Sequence, residues 1–273
     1  MGLIGATLGG GTGNYGGLHG LLIDSLESVR IVTGSGEILT ASENQNPDLF
    51  WGLRGAGHNF GIITNATFKI YPFTNGGQVM SADMRIPVSK NQSIWEFVKS
   101  YENNMPDELS IDVAGLYSEQ FGGVSGSRSP IKAGTLGSST RLTIVKQTYF
   151  LISITYAGPL STGTKIIQPL LDLNPLTHNI TSIPWSLLET QGRYGVDAEA
   201  CIKGTNHNVF GINLYKIDVP NLVEMSNYVD EVFRLYPAFR FALFSLSKYA
   251  TRVIESVPDD ATAYPYRNTN AYV

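Results

Sequence analysis

Residues 46–64 read NPDLFWGLRGAGHNFGIIT, a helix signal followed directly by a strand signal. Asn46 can cap a helix, and the Pro47-Asp48 pair suits a first helical turn, where the backbone N–H groups are unpaired and the dipole is positive. The pattern predicts a short helix from Asp48 to about Arg54, ended by the glycines that follow it.

The residues on either side of this helix predict β-strands. Downstream, apolar and polar residues alternate from Ile62 to Ile70, as in a half-buried strand. Upstream, Ser28–Thr33 and Glu37–Thr40 are rich in β-branched residues and flank the turn signal at Gly34–Gly36, which is typical of a β-hairpin. The turn-rich stretch from Pro72 to Gly77 is the predicted domain boundary.

Glycine is concentrated at the start of the chain. Nine of the 29 glycines lie in the first twenty residues. Each ordered glycine costs roughly 0.5–1 kcal/mol relative to alanine, so such a density calls for a compensating contact. A flat ligand lying against bare backbone amides is the explanation that the sequence favours.

Gly11 to Gly16 also match the pattern G-x-G-x-x-G, and Glu37 follows about twenty residues later, as in dinucleotide-binding folds. Such a loop requires a strand before it and a helix after it. Here further glycines precede it, and a strand and tight hairpin follow. The sequence therefore argues against a nicotinamide-dinucleotide site.

The rest of the chain predicts strands separated by helices, without the long apolar runs of a parallel sheet. The fold class expected is α+β, an antiparallel sheet backed by helices. The predicted domains are 1–74 and 75–273, and a Gly/Ser/Thr-rich insertion interrupts the second at 122–140. The predicted strands are Gln78–Ile86, Leu109–Tyr117, Leu142–Tyr156, His207–Ile217 and Phe239–Tyr249. The predicted helices are Ser89–Asn103, Thr164–Leu173, a short one after Trp185, and one holding Leu222 to Phe233.

Composition excludes several kinds of site. The net charge of −4 argues against nucleic-acid binding, which needs a basic surplus. No apolar run approaches membrane-spanning length, the four histidines lack metal-ligand spacing, and a single cysteine, Cys201, allows no disulfide within the chain. N-glycosylation sequons stand at Asn65, Asn91 and Asn179, and they leave localisation open.

Three motifs together carry a family resemblance. Leu8-Gly9-Gly10-Gly11-Thr12-Gly13 and Gly20-Leu21-Leu22-Ile23-Asp24, followed by the hairpin, resemble the second half of the FAD-binding domain shared by vanillyl-alcohol oxidase and p-cresol methylhydroxylase. The segment 46–64 resembles the berberine bridge enzyme-like branch, especially its fungal members. The motifs run in the family's order over residues 3–72, and residues 78–265 fit its substrate-binding domain more loosely.

The resemblance implies an FAD-dependent oxidoreductase in which a small organic or sugar-like substrate gives a hydride to flavin N5 and dioxygen is the usual electron acceptor. By position, it implies that the cofactor is bound by two groups of residues. They are Gly9, Gly10, Gly11, Gly13, Gly20, Leu21 and Asp24 on one side, and Asn59, Phe60, Gly61 and Ile62 on the adenine side.

Side-chain roles are less specific in the sequence. Asp24 fits a cofactor-adjacent position or an ordinary turn and cap residue equally well. His19 and His58, which flank the glycine stretches, fit a flavin or substrate contact, but a structural imidazole more readily. No catalytic base is singled out; the polar candidates on or near the central sheet are Tyr149, Glu189, Tyr194 and Tyr215.

The chain also departs from the family pattern. The pyrophosphate-binding subdomain, with the histidine often attached to flavin, has no counterpart ahead of Met1, which predicts an incomplete flavoenzyme that binds FAD weakly or not at all. The alternative is a non-redox remnant of the same fold that binds a small molecule. Valine at Gly10 or Gly11 is expected to abolish any residual flavin affinity.

Overall fold

In a computed structural model, residues 2–118, 147–192 and 208–273 are described, and they form two antiparallel sheets with helices. The strands are β1 Leu26–Thr33, β2 Ile38–Ser42, β3 Gly61–Phe68, β4 Gln78–Pro87, β5 Leu109–Ser118, β6 Gln147–Tyr156, β7 Thr177–Pro184, β8 Asn213–Leu214, β9 Phe244–Tyr249 and β10 Ala271–Tyr272. The helices are α1 Leu3–Leu8, α2 Gly16–His19, α3 Pro47–Ala56, α4 Asn91–Ser100, α5 Leu160–Ile166, α6 Gln168–Leu171, α7 Leu188–Gln191, α8 Val219–Leu235 and α9 Arg252–Ser256. The expected α+β class is confirmed.

The first sheet has three strands in the order β2-β1-β3. The predicted hairpin is present, with Val32 opposite Ile38, and β3 pairs on the other side of β1. Helix α3 packs Phe50 and Leu53 against Val29 and Ile31 of the sheet in one apolar cluster. This small core fixes the position of the segment that follows α3.

The second sheet has seven strands in the order β7-β4-β6-β5-β9-β10-β8. One of its faces is apolar and is covered by α4 and α8, which bury Ile94, Trp95 and Leu222 against it. The indole Nε1 of Trp95 donates to Ser226 Oγ at 2.8 Å, so the one polar atom of that ring is paired inside the core. The opposite face carries polar side chains at its centre and a small apolar cluster around Val79 and Ile183 at one end.

Several predicted elements differ from those observed. Asn46 does not cap α3: it has a left-handed backbone with φ of 51°, and its side-chain amide donates to Thr40 O at 2.7 Å instead. The predicted helix Thr164–Leu173 is two helices, α5 and α6, which meet at the residues before Pro169 because that residue lacks an N–H.

The remaining differences concern strands. Strand β7 was not predicted, because its sequence THNITSIP is polar; it tolerates this as an edge strand. The predicted strand Phe239–Tyr249 is shortened to Phe244–Tyr249 by a turn at Pro237–Phe239. Within the described part of His207–Ile217, only Asn213–Leu214 is a strand. The predicted insertion at 122–140 lies outside the described residues.

The two-domain division stays a prediction, and the end of the chain connects both sheets. After β9 the chain returns to the first sheet's helix α3, where Tyr264 and Arg267 are buried, and then enters the seven-stranded sheet as β10. No helix in the described ranges combines the length and the apolar character that crossing a membrane requires.

Candidate functional site

The glycine motif folds as a tight loop after α1. Gly10 and Gly11 have positive φ values of 118° and 77°, which favour glycine. Their carbonyl groups turn towards the following segment: Leu22 N donates to Gly11 O at 2.9 Å, and Ile23 N donates to Gly10 O at 3.2 Å. The loop is therefore fixed against residues 21–23.

Three successive backbone N–H groups of this loop have no hydrogen-bond acceptor among the described residues. Those of Gly11, Thr12 and Gly13 donate to no acceptor in the part of the chain that the structure describes. A Cβ added at Gly13 would meet no atom within 4 Å, so the loop borders open space there. Successive unpaired N–H groups form a concave site for an acceptor-rich ligand.

The missing side chains of several glycines face protein instead. A Cβ on Gly10 would lie 2.5 Å from the Tyr264 ring, one on Gly11 2.5 Å from Leu22 Cβ, and one on Gly57 2.4 Å from Leu8. Close packing within the protein therefore accounts for these glycines. These contacts concern the Cβ positions only, so the expectation that the backbone of the glycine motif faces a ligand stays a prediction; of these residues and Gly13, only Gly13 has open space at its Cβ position.

The structure brings the first glycine motif next to the segment after α3. A Cβ on Gly9 would lie 3.6 Å from His58 Nε2, and Leu8 fills the space beside Gly57. These residues are almost fifty positions apart in sequence, and α1 and α3 bring them together. The two glycine stretches that the sequence singled out are therefore neighbours.

The residues predicted for the adenine side form their own contacts. Asn59 Nδ2 donates to Ala56 O at 3.0 Å, and the Phe60 ring lies against Gly52. Gly61 has a φ of 148° and approaches Val32 O. Ile62, in the β1–β3 ladder, exposes 73% of its surface on the outer face of the sheet. These four residues contact α3 and β1, whereas the first glycine motif contacts His58, Leu22 and Tyr264.

Asp24 binds an arginine from the other end of the chain. Its Oδ2 accepts from Leu21 N at 2.8 Å, as a cap residue does, and Arg267 donates to both carboxylate oxygens at 2.8 and 3.1 Å. Gly20 is needed at this turn, since its φ is 78° and a Cβ would lie 2.7 Å from Asp24 Oδ2. Leu21 is a core residue, 1% exposed. These are the contacts of a turn and cap residue, and the cofactor-adjacent position of Asp24 stays a prediction.

A row of polar side chains crosses five strands on the polar face of the larger sheet. In register from β7 to β9 lie Asn179, Asp83, Ser153, Asp112 and Ser247, called the polar row below. Ser153 Oγ donates to Asp83 Oδ1 at 2.7 Å, and Ser247 Oγ donates to Asp112 Oδ1 at 2.5 Å. The row thus contains two carboxylate–hydroxyl pairs, and Asp83 is only 1% exposed. Sequence analysis predicted these strands but did not identify the row.

Asn14 links the glycine loop to this polar face. Ser110 Oγ, on β5, donates to Asn14 Oδ1 at 2.9 Å. The two parts enclose a cavity of about 10 Å³, enough for about one water molecule. Its lining consists of Asn14, Ser81, Asp83, Ser153, Thr155, Leu188 and Glu189. The unpaired N–H groups of residues 11–13 therefore stand immediately before a residue that contacts the polar face.

An aromatic stack lies beside the loop. The His19 ring stacks on Tyr71 with centroids 3.9 Å apart, and the Tyr15 ring centroid lies 5.9 Å from that of His19. Burial lowers the pKa of His19, and the charge of Lys69 lowers it further, against a backbone hydrogen bond at Leu18 that raises it. His19 is thus a stacked, mainly neutral imidazole near neutral pH.

The other candidates are dispersed. Tyr149 lies on β6 with the Arg85 guanidinium 5.7 Å from its ring centre, and Glu189 lines the small cavity. Tyr215 is 57% exposed. Tyr194 and Cys201 lie outside the described residues. Within the described ranges, no group of three or more acidic, histidine or cysteine side chains could hold a metal ion.

Comparison with known proteins identifies relatives along the whole chain. No protein-family model matches it. It is 34% identical over 275 residues to the FAD-linked oxidoreductase azaL of Aspergillus niger, covering 100% of this chain and 53% of that protein. It is 35% identical over 272 residues to the FAD-linked oxidoreductase tazL of Aspergillus terreus, covering 99% of this chain and 50% of that protein. The chain spans about half the length of the curated relatives it matches.

Solved structures share the fold at lower identity. Xylooligosaccharide oxidase from Myceliophthora thermophila C1 aligns with a TM-score of 0.65 at 22% identity, over 98% of this chain and 53% of the other. Berberine bridge enzyme from Eschscholzia californica aligns with a TM-score of 0.68 at 14% identity, over 98% and 49%. The resemblance found in the sequence motifs is thereby confirmed. The chain is a relative of the fungal FAD-linked oxidoreductases with the fold of berberine bridge enzyme, and it corresponds to about half the length of those proteins.

Proposed function

We propose that this chain carries the substrate-facing sheet and a ring-contacting loop of an FAD-dependent oxidoreductase acting on a small, hydroxyl-bearing organic or sugar-like substrate. The observation that supports this most directly is the junction at Asn14. There a loop with three unpaired N–H groups meets a sheet face lined with carboxylate and hydroxyl groups.

The loop fits the acceptor-rich edge of a flavin. Three unpaired donors in sequence, with open space at Gly13, match a planar ligand that carries several acceptor atoms. When bound, FAD would supply the hydride-accepting chemistry of its N5 atom, with dioxygen as the expected electron acceptor. The chain's contribution is the position and polarity of the groups around it. Among the predicted residues, Gly11 and Gly13 remain the best cofactor contacts, because their N–H groups have no acceptor among the described residues.

The polar row supplies groups that can orient a hydroxylated substrate. In each carboxylate–hydroxyl pair the serine proton is committed to the aspartate, so the serine oxygen can accept a hydrogen bond from a substrate hydroxyl. Asp112 is less buried than Asp83. It is therefore the better placed of the two to receive the proton that a substrate hydroxyl loses as its carbon is oxidised.

A matched pair of variants tests the loop. Gly13 and Gly34 both have open space at the Cβ position and neither has positive φ, but Gly34 lies in the β1–β2 turn. We expect Gly13→Val to lower FAD affinity by roughly tenfold or more, which corresponds to about 1.4 kcal/mol, and Gly34→Val to leave it unchanged. Quenching of flavin fluorescence measures affinity, and thermal unfolding shows that both variants remain folded. The titration should extend to high FAD concentrations, so that a weak affinity is also measured.

A second pair tests the redox role. The protein with FAD is mixed anaerobically with polyols, oligosaccharides and aromatic alcohols, and loss of the visible flavin absorbance is followed. Asp112→Asn should slow this loss for any substrate that causes it, whereas Asp230→Asn should not, because Asp230 pairs with Arg234 on α8, which covers the opposite face of the sheet. An Asp112→Asn protein that reduces as fast as wild type would contradict the proton-accepting role.

The polar row also allows a second function, a small-molecule binding protein without redox activity, because its carboxylate–hydroxyl pairs can orient a ligand whether or not a flavin is present. The cavity itself holds only about one water molecule and is too small for such a ligand. Ligand-dependent thermal stabilisation by compounds that never bleach the flavin would favour that alternative.

A further inference from the structure

The segment 258–267, called the strap below, lies across the end of helix α3. Trp51 Nε1 donates to Asp260 O at 2.7 Å, Ala263 N donates to Trp51 O at 3.3 Å, and Arg54 Nη2 donates to Ala261 O at 3.2 Å. These hydrogen bonds fix one end of the strap. The bidentate bond from Arg267 to Asp24 fixes the other end.

Tyr264 lies between these two anchors and is 6% exposed. Its ring occupies the space where a Cβ of Gly10 would stand, 2.5 Å away, and its backbone N lies 2.3 Å from the Cβ position of Gly55. The ring also packs with Leu21 and Ile23 in a small apolar cluster. Tyr264 thus contacts Gly10 and also the segment 21–23, and these two parts of the loop are hydrogen-bonded to each other.

We propose that Tyr264 is a positioning residue, which holds the Gly10–Gly11 turn against Leu22 and Ile23 and so directs the N–H groups of residues 11–13 towards the ligand. Gly10 and Gly11 both have positive φ, and glycine has wide conformational freedom. A contact from outside the turn is therefore needed to select one turn geometry. The ring supplies that contact at the Gly10 side of the turn. The ligand part of this inference rests on the proposed function, whereas the effect on the turn does not.

The first experiment measures the turn without any ligand. Amide hydrogen exchange at Leu22 and Ile23 reports the two hydrogen bonds to Gly11 O and Gly10 O. We expect Y264L, which keeps an apolar side chain in the cluster, to raise exchange at these two amides by roughly tenfold, the equivalent of about 1.4 kcal/mol in the opening equilibrium. Y264F keeps the ring and should exchange as wild type does.

Trp51→Phe is the matched control. It removes the hydrogen bond to Asp260 O and loosens the strap, but Trp51 has no recorded contact with residues 10–13 within the described chain. Faster exchange at Leu22 and Ile23 in Y264L alone supports the positioning role. Equal acceleration in W51F, or unchanged exchange in Y264L, would overturn it and leave the strap with a general stabilising role.

The second experiment separates this inference from the proposed function. In FAD titrations, Y264L should bind roughly tenfold more weakly and Y264F within about twofold of wild type. If wild type binds no flavin while the exchange pattern holds, the proposed function fails and the role of Tyr264 in the turn stands. If wild type binds flavin and Y264L binds it equally well, the directing role towards the ligand is refuted.

Discussion

Removing the charge of Asp24 tests the long-range contact that joins the two ends of the chain. Arg267 is 1% exposed and donates to both Asp24 oxygens, to Thr262 Oγ1 and to Ile254 O. Asp24→Asn keeps the shape of the side chain and an oxygen for Leu21 N. It leaves the buried guanidinium without its counter-charge.

The expected cost follows from that burial. Breaking a buried ion pair by removing one partner costs about 3–5 kcal/mol, because the remaining charge is buried without compensation. Arg267 Nε has no acceptor among the described residues, so this pair is not fully satisfied and the lower end, about 3 kcal/mol, is the better expectation. At about 2–4 °C per kcal/mol, the melting temperature should fall by roughly 6–12 °C.

The assay is thermal and urea unfolding of four proteins: wild type, Asp24→Asn, Arg267→Met and the double variant. Both single variants should be destabilised, and the double variant should lose clearly less than their sum, because no uncompensated charge remains in it. Arg252→Gln is the control, since that ion pair with Asp107 has a 70% exposed arginine and should leave the melting temperature unchanged. Additive losses in the double variant, or a loss for Asp24→Asn no larger than for Arg252→Gln, would refute the reasoning.

Two further predictions concern other buried or accessible groups. Burial lowers the pKa of Lys248 from 10.5 to about 8, so between these pH values the unfolded chain binds more protons than the folded one. The free energy of unfolding of wild type, relative to Lys248→Met, should therefore rise by about 3 kcal/mol from pH 8 to pH 10.5. Urea unfolding measures this difference, and a difference that does not change with pH would contradict the prediction. When the protein is passed through a secretory host, Asn65 and Asn179, both exposed on edge strands, should carry glycosidase-sensitive glycans. Asn91 should not, because it is buried and donates to Asn227 Oδ1; a glycan at Asn91 in folded protein would contradict its placement.

The elements that the sequence predicted well are those in which the order of apolar and polar residues matches the buried and exposed sides of the element. The hairpin at β1–β2 and the strands β4 and β5 have strong β-branched or alternating patterns, and they form where predicted. The predictions were wrong where contacts with distant parts of the chain outweighed the preference of the local sequence. Asn46 has the composition of a cap but adopts a left-handed turn that directs its amide to Thr40. Strand β7 is polar and forms because its backbone pairs with the edge of β4.

The candidate site was predictable only in part. The Gly9–Gly13 motif and the segment around His58 were identified from their order in the chain, and they are neighbours. The polar row was not found, because one aspartate in each of two strands gives no signal until the register places Asp83 and Asp112 on either side of Ser153. Arg267 could not be assigned to Asp24 from a sequence in which 243 positions separate them. Ion pairs between distant residues depend on how the whole chain folds, and the pattern of one sequence does not show this.

The number of early glycines is therefore a weaker argument for a ligand than their individual surroundings. Gly10 and Gly57 would each place a Cβ within 2.5 Å of another side chain, so internal packing alone requires them, and their cost relative to alanine is offset by the contacts with Tyr264 and Leu8. Gly13 is different, because nothing in the described protein fills the space beside it, and the N–H groups that precede it have no acceptor there. A valine at Gly10 would fail for steric reasons whether or not a flavin binds, so it cannot test the cofactor role. Substitution at Gly13 can, since no group of the described residues stands where the new side chain would lie, and a loss of flavin affinity there would have to come from the ligand.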